Sequence, residues 1–163
     1  MDILAAQVGE VLKSHGLMLA TAESCTGGGV AQAITDVAGS SAWFDRGFVT
    51  YSNLAKVQML GVSEATLIQR GAVSEATVRE MVAGALANST AQVALAVSGI
   101  AGPNGGTADK PVGTVWFAWA VKNGATLAQV HHLSGNRSEI RFLAVRIALQ
   151  GVQDLLRQMS ETA

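Results

Sequence analysis

The sequence predicts an α/β protein, a three-layer α/β/α sandwich around a mixed, mostly parallel sheet. Three observations predict it. Short apolar runs of strand character alternate with segments of helical period, as in a parallel sheet with crossover helices. One pair of strand-like runs instead flanks Asn123-Gly124, the strongest short hairpin signal, which adds antiparallel strands. Charged residues make up only 14% of the chain against 49% apolar, well below the roughly 25% charged usual for soluble domains. A sheet covered on both faces needs apolar strands throughout, and that lowers the charge.

Each element has its own justification. Leu4, Val8, Val11 and Leu12 share one helical face, and Gly16 suits the cap that ends it. Leu17 to Ala22 reads as a short buried strand, followed after a turn by an apolar helical segment from Val30 to Val37. Gly39-Ser40-Ser41 is a loop, and Gly47 to Tyr51 a second strand. Ser52 or Asn53 caps a helix carrying Leu54, Val57 and Leu60, closed by Gly61. Ser63 starts a short helical turn, and Ser74 caps a longer helix with Val78, Met81, Val82, Ala85 and Leu86 inward. Gln92 to Val97 is a buried strand that empties into a glycine-rich loop. Gly113 to Val121 and Thr126 to Leu133 form the hairpin. A last helix from Arg137 to Met159 carries a core stripe of Ile140, Leu143, Ile147, Val152, Leu155 and Met159. No linker or repeat interrupts the chain, so residues 1–163 are expected to form one domain.

Charge and cysteine content exclude several classes. Eleven basic and twelve acidic residues give a net charge of −1, with no basic cluster to neutralise phosphates, so no nucleic-acid partner is expected. From Met81 to Ala108 no residue is charged, but Asn88, Ser89, Thr90, Gln92 and Ser98 interrupt the stretch, and a spanning helix needs ~20 mostly apolar residues. No membrane partner is expected. Asp2 stands where a signal peptide would be basic, and the lone Cys25 suits a reducing compartment, so a cytoplasmic protein is expected. His131 and His132 are neighbours on a strand and point to opposite faces. Neither a metal nor another cofactor is expected.

Four features carry candidate chemistry. Glu23-Ser24-Cys25-Thr26-Gly27-Gly28 has the context strand, tight turn, helix. A serine there sits above the sheet beside free helix-start amides that can bind an oxyanion or phosphate. On spacing alone, Ser24 or Thr26 as a plain helix cap is the more economical explanation. Cys25 is a rival nucleophile, since a helix N-terminus lowers a thiol pKa. Next, Tyr51 ends a strand and Lys56 lies in the following helix among Leu54, Ala55 and Val57. A lysine desolvated in that company has the lowered pKa of a general base, and a Ser–Lys pair assisted by Tyr51 can transfer acyl groups without histidine or metal. For an isolated lysine, snorkelling to solvent is the simpler alternative. Third, the loop Ser98-Gly99-Ile100-Ala101-Gly102-Pro103 lets backbone amides approach a ligand, or is merely a glycine-rich turn. Fourth, Arg137 and Arg141 lie one turn apart at a helix start, where a bound anion would offset their conflict with the helix dipole.

Taken together and in order, six motifs resemble the C-terminal domain of the CinA family in its stand-alone bacterial form. They are Ala22 to Gly28, Gly39 to Phe44, Tyr51 to Lys56, Gly71 to Glu75, Ser98 to Pro103 and Lys110 to Val115, and they span nearly the whole chain. The resemblance implies the three-layer fold and a nicotinamide-nucleotide amidase, which converts nicotinamide mononucleotide and water to nicotinate mononucleotide and ammonia. It implies Ser24 as nucleophile with Tyr51 and Lys56 as partners. The turn Cys25 to Gly28, the loop Ser98 to Gly102, Arg137 and Arg141 would then contact the substrate. Many members carry threonine where Ser98 stands, which keeps the hydroxyl. The pyrophosphatase-linked N-terminal domain of larger CinA proteins has no counterpart in these motifs, so that chemistry is not expected. A homo-oligomer, in the first instance a dimer, is a candidate assembly. Two other readings stand beside the amidase: a catalytically silent nucleotide-binding module of a competence or damage response, and an amidohydrolase for a different small amide.

Overall fold

The computed structural model describes residues 1–162. Five strands, β1 (Leu19–Glu23), β2 (Phe44–Val49), β3 (Val93–Gly99), β4 (Thr114–Val121) and β5 (Thr126–His132), form one sheet in the order β2-β1-β3-β4-β5. The pairs β1–β2 and β1–β3 are parallel, while β3–β4 and β4–β5 are antiparallel. The hairpin turn forms where expected, with Asn123 at φ 59°.

Six helices cover the two faces. α1 (Asp2–Ser14), α2 (Gly29–Thr35) and α6 (Arg137–Thr162) lie on one side; α3 (Asn53–Leu60), α4 (Glu64–Arg70) and α5 (Glu75–Ala87) lie on the other. The strand residues alternate accordingly. Leu19, Val93, Leu95, Val97, Val115, Phe117 and Trp119 pack toward α1, α2 and α6. Ala20, Ala22, Ala94, Ala96, Ala118 and Ala120 pack toward α5. That second face is almost all alanine, so α5 can lie close to the sheet. Close approach recurs one layer out: a Cβ at Gly84 of α5 would overlap the main-chain carbonyl of Leu60 in α3. The opposite layer is locked by Trp119, whose indole N–H donates to the Ala148 carbonyl at 2.8 Å beneath Gly151.

Three expectations shift. β2 begins and ends earlier than its apolar run suggests, leaving Thr50 and Tyr51 beyond its end. The helix after β1 spans Gly29–Thr35 rather than Val30 to Val37, and the left-handed Gly27 (φ 60°) and Gly28 (φ 100°) build the turn before it. On α6, Leu143 and Ile147 flank the buried stripe, whose centre includes Ala144, Ala148 and Leu149. Small side chains there let a long helix settle onto the layer beneath. None of the described helices is long and apolar enough to cross a membrane.

Candidate active site

The carboxyl ends of the three parallel strands converge at one edge of the sheet, the usual place for ligands in such folds. Ser24 follows β1 directly, and its N–H donates to the Val97 carbonyl of β3 at 3.0 Å. Thr50 follows β2, and its N–H donates to the Glu23 carbonyl at 2.8 Å. These two bonds continue the ladder past the strand ends and fix both turns relative to β3.

Lys56 enters from α3. Ser52 caps that helix by accepting the Ala55 N–H at 3.0 Å, and Lys56 and Leu60, one turn apart, are its two buried residues. Lys56 is 1% exposed. Its Nζ lies 3.0 Å from Ser24 Oγ and donates to the main-chain carbonyls of Thr50 at 2.9 Å and Tyr51 at 3.3 Å. No carboxylate is among these partners. Burial therefore pushes the Lys56 ammonium below its ordinary 10.5.

The neighbouring thiol moves the other way. Cys25 is buried, and desolvation pushes it up to about 11, with the Glu23 charge adding to the rise. Main-chain N–H groups of Cys25 and Gly99 and the Arg141 charge only partly offset this. At neutral pH the thiol holds its proton.

Glu23 was not among the sequence candidates, yet it organises the turn. It is fully buried, and its carboxylate accepts the Thr26 hydroxyl at 2.6 Å, the Val30 N–H at 2.9 Å and the Ala31 N–H at 3.1 Å. The first free amides of α2 are thereby occupied, so they are not the oxyanion donors the sequence suggests. A carboxylate closing a buried strand just before a Ser-x-Thr-Gly-Gly turn is the signal that could have found it.

A cleft of about 250 Å³ opens over Ser24, lined also by Cys25, Tyr51, Lys56, Ser98, Gly99, Ala101 and Arg137. Asn53, Ala72 and Val73 complete its wall. The Tyr51 hydroxyl accepts from an Arg137 guanidinium N–H at 3.1 Å, so it faces that arginine; the Tyr51 carbonyl is what meets Lys56. Arg137 also donates to the Gly102 carbonyl at 2.9 Å, tying α6 to the loop after β3.

Other candidates lie elsewhere. The Ile100 N–H and carbonyl are taken by Thr114 and Gly113. Thr26, Gly27, Gly28, Ile100 and Gly102 do not line the cleft. Arg141 donates to the Cys25 carbonyl at 3.0 Å and the Thr26 carbonyl at 3.1 Å from the other side of the turn, where it lines a separate depression with Thr26, Gly29 and Phe142. It straps the Ser24 turn from behind. A larger depression of about 400 Å³ between β5 and α6 contains none of the strand-end residues.

Fold and site define a three-layer α/β protein with a buried serine–lysine pair at the ends of parallel strands. Residues 1–156 match the CinA C-terminal domain, and the chain belongs to that family. It is 58% identical over 147 residues to the nicotinamide-nucleotide amidohydrolase PncC of Escherichia coli K12, covering 90% of this chain and 89% of that protein. Its identity to the protein of the same name from Pseudomonas putida is 50% over 152 residues, covering 93% and 94%. Among solved structures, the competence/damage inducible protein CihA of Agrobacterium tumefaciens superposes with a TM-score of 0.92 at 50% identity, covering 94% of each chain. The competence damage-inducible protein A of Klebsiella pneumoniae gives 0.91 at 43% identity, covering 98% and 96%.

Proposed function

We propose that this protein is a nicotinamide-nucleotide amidase that hydrolyses the carboxamide of nicotinamide mononucleotide through an acyl-enzyme on Ser24. The activity is that named for the PncC relatives. The Ser24 assignment rests on one observation, the 3.0 Å contact between Ser24 Oγ and a buried Lys56 Nζ that has no carboxylate partner. A neutral amine has two N–H donors and one lone pair. The Thr50 and Tyr51 carbonyls accept two N–H bonds from Lys56 and Ser24 Oγ accepts the third at 3.0 Å; loss of one proton from Nζ turns that third contact into a lone pair facing the serine hydroxyl. An ammonium would have no acceptor charge beside it. Burial without a counter-charge favours the neutral base.

In the first half-reaction Ser24 Oγ attacks the carboxamide carbon and its proton passes to Lys56 Nζ. The main-chain N–H of Cys25, the one residue of the Cys25–Gly28 turn that lines the cleft, meets the oxyanion, since Glu23 already holds those of Val30 and Ala31. Lys56 returns the proton to the departing nitrogen, ammonia leaves, and a nicotinoyl ester remains on Ser24. Water, deprotonated by Lys56, cleaves the ester and restores the serine. Arg137, with the loop around Gly99 and Ala101, holds the ribose phosphate. Ammonia release from nicotinamide mononucleotide by the wild type, its loss in Ser24→Ala and its survival in Cys25→Ala test the proposal. Loss in Cys25→Ala with survival in Ser24→Ala would reassign the nucleophile to the thiol. Tight binding without product would make the chain a binding module.

A further inference from the structure

The substrate proposed above carries a permanent positive charge on its pyridine ring, created by the bond from ring nitrogen to ribose. The cleft must therefore accommodate a cation, and it does so without a carboxylate. Among the described residues lining it none is acidic, and its two ionisable cations are Lys56 and Arg137. Glu23 lies behind the turn, engaged by Thr26, Val30 and Ala31. Beside the side-chain oxygens of Asn53 and Ser98, the group able to attract a delocalised ring cation is an aromatic face. Tyr51 is the one aromatic residue in the wall of the cleft.

Its geometry suits that role better than proton transfer. Tyr51 is 61% exposed although its main chain is held beside Lys56, so the ring stands at the lip of the cleft and is open to a ligand. Its hydroxyl is occupied by Arg137. That bond anchors the ring at its polar end, and among the described residues the stacked or edge-on ring contacts involve Phe117, Trp119 and His131, so no aromatic partner stacks on Tyr51. We propose that the Tyr51 ring is the surface on which the pyridinium docks, so that the protein selects cationic N-ribosylated carboxamides over neutral rings of the same shape. The inference rests on the amidase reading and specifies how its substrate is distinguished. A cation over an aromatic face gains roughly three- to thirty-fold in affinity, depending on how far the pair is desolvated.

The test uses Ser24→Ala, which binds without turnover, and two ligands. One is nicotinamide mononucleotide. The other is its carbon-linked benzamide analogue, with the same carboxamide, ribose and phosphate but an uncharged ring. Calorimetry on Ser24→Ala should give roughly three- to thirty-fold tighter binding of the cation. Adding Tyr51→Phe should keep that ratio, because the face remains, while Tyr51→Leu should bring it to about one. A ratio unchanged in Tyr51→Leu overturns the proposal. Equal loss of the ratio in Tyr51→Phe and Tyr51→Leu also overturns it, by transferring the effect to the hydroxyl–Arg137 bond. If neither ligand binds and the wild type releases no ammonia, the amidase reading itself falls and this inference with it.

Discussion

Replacing Glu23 with glutamine changes one oxygen into an amide nitrogen at the centre of the turn that carries Ser24. The amide oxygen can keep the bonds to the Thr26 hydroxyl and the Val30 N–H, which share Oε1. The new NH2 then confronts the Ala31 N–H that met Oε2 at 3.1 Å. The two retained bonds lose their ionic character, about 1 kcal/mol each, and the third bond is lost with a buried donor left unpaired, about 2–4 kcal/mol together. Against this, the fold no longer buries a carboxylate that lacks a cationic partner, which returns about 2–3 kcal/mol. The net expectation is destabilisation of about 1–4 kcal/mol, in the range for losing a strong helix cap and one buried bond. Urea unfolding of wild type and Glu23→Gln at neutral pH reads it directly. Ammonia release should fall at least ten-fold with little change in KM, because the turn presenting Ser24 loosens while the cleft walls stay. A midpoint within about 0.5 kcal/mol of wild type, together with unchanged turnover, would refute the claim that this carboxylate holds the turn.

Lys56 gives a pH signature of defined sign. Its folded pKa lies below the ordinary 10.5, so the unfolded chain binds the proton more readily. The stability it contributes is full above 10.5 and is lost as pH falls toward the folded value. Lys56→Met should abolish ammonia release and remove that slope from unfolding measured across this window; an unchanged slope would assign it to another group. In the wild type, kcat/KM should rise with pH along a limb whose midpoint lies below 10.5, and a flat profile would argue against a lysine base. Gly84→Ala should destabilise by about 1–3 kcal/mol despite the better helix propensity of alanine, because the new methyl meets the Leu60 backbone. By pushing α3 away from α5 it should also displace Lys56, so activity falls more steeply than stability; a variant as active as wild type would refute that coupling.

How far the sequence carries is decided by how local each interaction is. Strands, helix caps and the hairpin are local signals, and Ser24 and Lys56 are visible because each lies a few residues from a strand end. The partners of side chains that reach across the fold are not local. Glu23 looks like the last residue of a strand until its donors seven and eight residues later are seen in space. Arg141 resembles an anion ligand until its guanidinium is found on the carbonyls of Cys25 and Thr26. Tyr51 looks like a strand-end hydroxyl poised for proton relay. The early end of β2 lets its chain turn outward, and the phenol reaches Arg137 instead. The thiol could not be judged from the turn motif either, because the depth of burial decides the sign of its shift.

Ser24 and Lys56 lie on one continuous β-α-β-α stretch, from β1 through α3, at the carboxyl ends of the parallel strands. The β4–β5 turn at Asn123-Gly124 is on the opposite border of the sheet, and because β4 runs antiparallel to β3 it also points away from the cleft. That corner is a natural attachment point. A peptide tag, a tether to a surface or a second enzyme fused there would leave the mouth of the cleft unobstructed and the ends of β1 and β2 untouched.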